Sequence, residues 1–398
     1  MQHGKCFQTR AKKSRAESCY AGGFGMSAEH FGWEERILFS SKEIAERNAL
    51  LISRGLNVPE NADLIIGLYE GDTLIATGSL VGTVLQGIAV SSQTEGEGAA
   101  AAIVSSLIKN AVNRGIQHLF LFSSAQEANR FEALGFSLLA STAQILAFSD
   151  FLEGANGAAL LEWPTGQIDN WLNSLKPVVE GKPYGSGAVV VNCNPFTLGH
   201  RALIEYAALK SPWLYVIVVE EDRSLFPFNV RFELVKKGTA DIKNITVLKG
   251  GQYVISSATF PTYFIRPKNS EADTVSIAVS LHAALDLILF RRYIAPALKV
   301  TDRFVGTEPY CPTTSSYNKM MKKILPAAKG EGVPIRVHEI PRFEIEGAAV
   351  SASRVRDLLR SGNIHAIKPL VPETTWQWLT SAEALPVIKK IQHSNSRH

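Results

Sequence analysis

Residues 192–200, Asn-Cys-Asn-Pro-Phe-Thr-Leu-Gly-His, constrain the fold more than any other stretch of the chain. They follow the apolar run Ala188 to Val191 and precede Leu203, Ile204, Ala207 and Ala208, spaced as one face of a helix. A strand therefore runs into a tight turn, and the turn opens a helix. Such a turn aims backbone N–H groups and the positive end of a helix dipole at one point, which suits phosphate. His200 adds a titratable imidazole there.

The pattern around this turn repeats. From Gly187 onward, strands are expected at Ala188–Cys193, Leu214–Val219, Asn244–Leu248, Val300–Val305 and Ile335–Glu339. Helices are expected between them at Leu198–Lys210, Asn229–Asp241, Thr274–Tyr293 and Ser316–Ala328, with a last one at Ala352–Arg360. Strands alternating with helices predict a doubly wound parallel sheet covered on both faces. A chain of 398 residues exceeds one ordinary core, so a second domain is expected. Residues 31–150 read as that α/β domain. It has a helix at Ser41–Arg54, strands at Asp63–Tyr69, Leu74–Val81 and Leu85–Val90, a helix at Gly98–Arg114, a strand at His118–Ser123, a helix at Glu127–Leu134 and a strand at Ser137–Phe148. The turn at Glu70-Gly71-Asp72 predicts a hairpin. Residues 151–185 are dense in Gly and Pro and read as a linker with one short helix near Gln167–Leu175, leaving 186–398 as the parallel-sheet domain.

Composition excludes several classes. The net charge is +4, of which +3 comes from residues 1–30, read as a disordered basic extension with Met26 as a second candidate start. The near-neutral body predicts no nucleic-acid partner. Cys6, Cys19, Cys193 and Cys311 show no metal or redox spacing and form no disulfide framework, which fits a reducing, cytoplasmic setting. The apolar run Val275 to Phe290 is broken by His282 and Asp286 and reads as a buried helix, not a membrane span. No signal peptide is expected, because the first 30 residues lack an apolar core.

Asn194-Pro195-Phe196-Thr197-x-Gly199-His200 resembles the T/HxGH signature of the nucleotidyltransferase superfamily. Thr197 and His200 lie three apart at a helix start and so share one side of the first turn. Gly199 lets the chain pass close to a nucleotide. Ser351, Ser353 and Arg356 stand in Val-Ser-Ala-Ser-Arg-Val-Arg at the head of a second helix, where Ser351 is a good N-cap. Arg354 and Arg356 oppose the helix dipole there, a conflict that a bound anion would remove. This segment resembles the superfamily's second phosphate motif, Ile-Ser-x-Thr/Ser-x-x-Arg. Arg303, Gly306 and Glu308 end a strand at the expected ligand edge of the sheet. Arg303 and Glu308 are read either as contacts to nucleotide or metal or as a structural pair. Cys193 reads as a small buried residue, not a nucleophile.

In the first domain, Gln93-x-x-Gly96-x-Gly98 precedes a helix and resembles the pyrophosphate loop of GNAT acetyltransferases. Phe131-Glu132-Ala133-Leu134-Gly135-Phe136 resembles a further GNAT segment. The acidic Glu95 and Glu97 set this loop apart from a free coenzyme A site.

These segments, with Arg303–Pro309 and Tyr253–Phe264, together resemble the citrate lyase ligase family over residues 31 to 390. The resemblance implies a ligase that uses ATP, with Mg²⁺, and acetate to acetylate a thiol on the acyl carrier subunit of citrate lyase. It implies catalytic roles for His200, Thr197 and Arg356. It also implies ATP contacts at Asn194, Pro195, Phe196, Gly199, Gly306, Glu308, Ser351 and Ser353, and recognition of the thiol cofactor at Gln93, Gly96 and Gly98, with no resident metal. The alternatives are an adenylyltransferase acting on a nicotinamide- or pantetheine-type mononucleotide, and an acetyl-coenzyme A-dependent GNAT enzyme with a nucleotide-sensing domain. A non-catalytic adaptor for citrate lyase is the third.

Overall fold

The computed structural model describes residues 32–143, 157–220, 224–256, 259 and 277–394. They form two compact units, one ending at Gln117 and one starting at His118.

The first unit is an antiparallel meander, β1 (Glu34–Ile37), β2 (Leu64–Glu70), β3 (Thr73–Val81) and β4 (Val84–Val90), with α1 (Ser41–Ser53) and α2 (Ala99–Asn113). A capping box between Ser40 and Glu43 starts α1, satisfying orphan N–H groups of its first turn. Glu70 pairs with Thr73 across a two-residue turn in which Gly71 holds φ +58°, as the hairpin requires. The sheet–helix approach is close: a β-carbon on Gly78 would lie 2.7 Å from Leu107 of α2. The sequence pattern did not foretell β1, a four-residue exposed edge strand.

The second unit begins with β5 (Leu119–Ser124), α3 (Ala128–Glu132), β6 (Ser137–Ser141) and β7 (Ala158–Trp163), antiparallel in the order β5-β7-β6. Residues 144–148, expected to extend β6, lie outside the described residues. The segment 151–185, expected as a linker, needs correction. It carries β7, paired on both sides, which was not expected; the expected helix is present as α4 (Gln167–Val179) and runs on past Leu175. Gly166 holds φ +87° at the head of α4, and Pro177 lies within the last turn of that helix. Glu162 of β7 is fully buried. It accepts hydrogen bonds from Tyr253 Oη at 2.7 Å and from the Ile168 N–H at 3.0 Å, and His118 Nε2 lies 3.1 Å away. Tyr253 belongs to the segment after the third strand of the parallel sheet, so this buried cluster ties β5 and β7 to that sheet.

The parallel sheet is as the alternation predicts. It contains β8 (Ser186–Val191), β9 (Leu214–Val218), β10 (Ile245–Lys249), β11 (Val300–Gly306) and β12 (Arg336–Ile340), in the order β10-β9-β8-β11-β12. Every pair is parallel. The chain steps outward from β8 through α5 (Leu198–Lys210) and α6 (Phe228–Gly238). It then returns through α7 (Ile277–Leu289) to β11 and crosses by α8 (Pro312–Ile324) to β12. The topological switch therefore falls between β8 and β11, where the ligand crevice of such sheets opens. Val189, Val191 and Phe304 pack with Ile204, Ala207 and Val235 on the face of α5 and α6.

The C-terminal residues complete the crevice. A short hairpin, β13 (Glu344–Ile345) and β14 (Ala348–Ala349), leads into α9 (Ala352–Arg360), then α10 (Glu373–Leu379) and α11 (Leu385–Gln392). Val350, Val355, Leu359 and Ile391 form one buried cluster with Leu225 and Phe226. α10 and α11 have 7 and 8 residues, too short to show a clear helical period in the sequence. Among the described residues no helix is long and apolar enough to cross a membrane.

Arg231 of α6 is fully buried and holds the open ends of β8 and β9 together. It donates to the carbonyls of Asn192 and Val219 at 2.8 Å each, and to that of Phe226 at 3.0 Å. Arg231→Met leaves three buried carbonyls short of a donor. Each unmet group costs about 1–3 kcal/mol, so the variant is expected to lose roughly 3 kcal/mol or more in urea unfolding.

Candidate nucleotide site

The turn after β8 is shaped by its own side chains. Cys193 takes φ +50°, a left-handed conformation rare outside glycine, and its thiol is buried, which pushes its pKa up. It is a packing residue, as expected. Phe196 is fully buried among Cys193, Ile204 and Val235, so its side chain faces the core and not the crevice. It stacks near-parallel to the His200 ring at 6.2 Å between centroids. Phe196 thus supports the imidazole from behind, which corrects its expected place as a nucleotide contact.

Thr197 caps α5 together with His200. The His200 N–H donates to Thr197 Oγ1 at 3.4 Å, and the Thr197 N–H donates to His200 Nδ1 at 3.1 Å. Thr197 Oγ1 also lies 2.9 Å from Nδ1. Nδ1 is therefore an acceptor, and the neutral ring carries its proton on Nε2. Thr197 itself is fully buried and its hydroxyl is spent on these bonds. These bonds fix the orientation of the His200 ring. Burial, then the charges of Arg342 and Arg356, push the His200 pKa down to about 4.

Asn194 is 3% exposed. Its Oδ1 accepts from the Phe226 N–H at 3.0 Å, which leaves Nδ2 buried with no hydrogen-bond partner. Buried amides rarely stay in that state, so Nδ2 is a donor waiting for an acceptor. A β-carbon on Gly199 would overlap the carbonyl oxygen of Val350. Only glycine permits that approach, and it brings the first turn of α5 against the head of α9.

At α9, Ser351 is the N-cap and accepts from the Arg354 N–H at 3.1 Å, as its sequence context predicts. Arg356 is buried. It donates to the Asn194 carbonyl and, at 3.2 Å, to Ser353 Oγ. Sequence reasoning gave Ser353 and Arg356 to phosphates; the structure shows that Arg356 also holds the turn in place. Ser353 and Arg354 are exposed beside it.

Gly306 ends β11 at the switch point. Glu308 is not paired with Arg303. Its carboxylate accepts from Arg342 Nη2 and from the N–H groups of Tyr310 and Cys311 at the start of α8. Those bonds tie Glu308 to Arg342 and to the start of α8 in place of Arg303. Arg342, after β12, was missed. It donates to the Thr307 carbonyl at 2.9 Å, and its charge reaches His200. It belongs to no motif, yet it follows a foreseen strand at the edge where ligands bind, and that placement was its available signal. Among the described residues no three His, Cys, Asp or Glu side chains are grouped to hold a metal ion.

In the first unit, Gly98 holds φ +92° at the head of α2 and gives that helix no side-chain cap. Gly96 holds φ +94° and Gln93 is exposed. Glu95 is paired with Arg54 at 2.9 Å, which offsets its charge.

A doubly wound parallel sheet, a phosphate-type turn at its switch point and two arginines converging on one imidazole define a nucleotide-handling α/β enzyme of the nucleotidyltransferase type. The family described as citrate lyase ligase C-terminal domain matches residues 186–379, from the start of β8 to the end of α10. The [citrate [pro-3S]-lyase] ligase of Escherichia coli (strain K12) is 37% identical over 341 residues, 85% of this chain and 91% of the relative. The ligase of the same name from Klebsiella pneumoniae is 39% identical over 316 residues, 79% of this chain and 86% of its own. The chain belongs to the citrate lyase ligase family and is an enzyme of the ligase class. A solved structure, the ribosomal-protein-S18-alanine N-acetyltransferase from Escherichia coli, aligns with 33% of this chain and 94% of its own. Its identity of 19% and TM-score of 0.27 are too low to carry an argument.

The imidazole gives a test of this geometry. His200 is held neutral when folded and titrates near 6.5 when unfolded, so the unfolded chain binds more protons between those values. Its contribution to stability is complete above pH 6.5 and declines as pH falls towards 4. His282, also pushed to about 4 by burial, adds to the same slope. Urea midpoints measured from pH 7 to pH 4.5 are expected to fall for the wild type and to fall less for His200→Gln.

Proposed function

We propose that this protein acetylates the thiol of the dephospho-coenzyme A-derived group on the acyl carrier subunit of citrate lyase, using ATP and acetate and so activating the lyase. An acetate oxygen attacks the α-phosphorus of ATP, and pyrophosphate leaves. The acyl carrier thiolate then attacks the acetyl carbon, and AMP leaves. The observation that carries this reading is the convergence at one helix start of the His200 Nε2 proton, the unpartnered Asn194 Nδ2 and the charges of Arg342 and Arg356.

Acetate is already an anion, so the first step needs no general base. It needs the two anions held in line and the charge on the phosphates met by fixed donors. His200 Nε2–H donates to an α-phosphate oxygen, with its direction set by Thr197. The N–H groups of the first turn of α5, which lack helical partners, face the adjoining phosphate. Asn194 Nδ2 gains its acceptor there. Ser353, Arg356 and Arg342 lie at the β- and γ-phosphates. A magnesium ion travelling with ATP has no donor set among the described residues, and phosphates and water would hold it. No step here passes through it. The free thiols Cys193 and Cys311 accord with a cytoplasmic setting.

In this reading the loop at Gln93, Gly96 and Gly98 receives the phosphates of the acyl carrier's prosthetic arm at the uncapped start of α2. Resemblance to the GNAT pyrophosphate loop supports that assignment.

His200→Ala is expected to lower acetate-dependent ATP–pyrophosphate exchange about 10²-fold, the usual cost of losing one such donor. Exchange at the wild-type rate would remove His200 from the chemistry. Gly98→Val cannot hold φ +92° comfortably and should reshape the second loop. It is expected to raise KM for the acyl carrier while leaving pyrophosphate exchange unchanged.

A further inference from the structure

Arg303 sits in the middle of β11, in register with Ala188 of β8. Side chains alternate along a strand. Phe304 faces α5 and α6, so Arg303 faces the opposite side, where its guanidinium lies over the Phe290 ring at 4.6 Å. Arg303 is 3% exposed, and its Nε and Nη1 are buried with no hydrogen-bond partner. An arginine does not shed its proton, and a buried charge without partners is strongly unfavourable.

Asp286 of α7 is the nearby acid, but it does not pair with this guanidinium. Its Oδ1 accepts from the Ile255 N–H at 2.9 Å and from Thr259 Oγ1 at 3.1 Å, and its Oδ2 accepts from Tyr317 Oη at 2.7 Å. Both oxygens are thus turned to neutral donors. The cluster also has a definite place. Ile255 lies in the segment after β10, and Asn318, next to Tyr317, donates to the Gly306 carbonyl at the end of β11. The open donors of Arg303 therefore belong to the ligand edge of the sheet, on the face away from α5.

We propose that Arg303, laid on Phe290 and flanked by Asp286 and Tyr317, binds a short monocarboxylate. A carboxylate presents two oxygens to a guanidinium in a strong, directed pair. Phe290 gives the alkyl end an apolar wall. A single guanidinium laid on an apolar wall matches one carboxylate, which favours a monoanion over phosphate and dicarboxylates. This inference rests on the ligase reading above, and it gives the acid substrate a site separate from the phosphate turn.

Arg303→Met keeps the length of the side chain and removes the charge. No protein hydrogen bond at Nε or Nη1 is lost, so the variant is expected to fold with a Tm equal to or above that of the wild type. Its KM for acetate in pyrophosphate exchange should rise roughly tenfold or more, the scale of a bond to a charged group, with KM for ATP unchanged. Sodium acetate should raise the Tm of the wild type above its value in sodium chloride of equal ionic strength. Arg303→Met should lose that shift and Arg303→Lys should keep part of it. Sodium succinate should give the wild type no such shift, and any shift in sodium phosphate, which the turn at α5 would bind, should be the same in Arg303→Met.

A wild-type acetate KM and acetate shift in Arg303→Met would overturn the proposal. So would an unstable Arg303→Met beside an Arg303→Lys that binds acetate normally, because Arg303 would then be a structural cation. An acetate shift that depends on Arg303, in a protein with no acetate-dependent exchange, would keep the pocket and defeat the ligase reading. Exchange that proceeds with no dependence on Arg303 would do the reverse.

Discussion

The site depends on one close approach, the carbonyl of Val350 against Gly199. No side chain at 199 leaves room for it. That contact, with the bond from Arg356 to the Asn194 carbonyl, sets two segments some 150 residues apart at a fixed separation. Everything chemical follows from that spacing. The Asn194 amide is aimed by Phe226, His200 is aimed by Thr197, and burial, reinforced by the two arginines, keeps His200 neutral. Arg231 acts one layer below, fixing where the strands release their chains into the turn.

A neutral imidazole suits the chemistry better than a charged one would. Arg342 and Arg356 already supply positive charge, so a third cation would be placed at an electrostatic cost before any phosphate arrived. The proton on Nε2 is a directed donor that stays unchanged across the neutral range. Its direction comes from a capping box in which histidine takes the position more often held by glutamate or glutamine. One residue thus starts the helix and, in the proposed function, also faces the phosphate.

Much of this was legible in the sequence, for physical reasons. The parallel strands are continuous apolar runs because both faces are buried, and α5 and α9 have clear caps, so their bounds were foreseen to the residue. The Thr197–His200 and Ser351–Arg356 segments were recognisable because phosphate turns require particular residues at fixed spacing. What stayed hidden was contact that spacing does not encode. Thr197 and Phe196 look like ligand residues in sequence, yet they face inward. Glu308, read as a contact to nucleotide or metal or as a partner of Arg303, is held by Arg342. The strand β7 was masked by neighbouring glycines and prolines that only punctuate its ends. The helices after α9 are only about two turns long, and Leu379, Val387 and Ile391 on them pack into the cluster of Phe226 and Val350.

The contact between Gly199 and Val350 also has a consequence in time. A ribosome delivers the turn at 192–200 long before it delivers Val350, α9 and the helices that bury them. Until those residues emerge, the turn lacks its wall and Arg356, and the Phe226 cluster lacks its cover. A chain that ended before Val350 would therefore keep the turn but lack its wall and the bond that pins the Asn194 carbonyl, so the turn takes its final shape only after the C-terminal helices have been made.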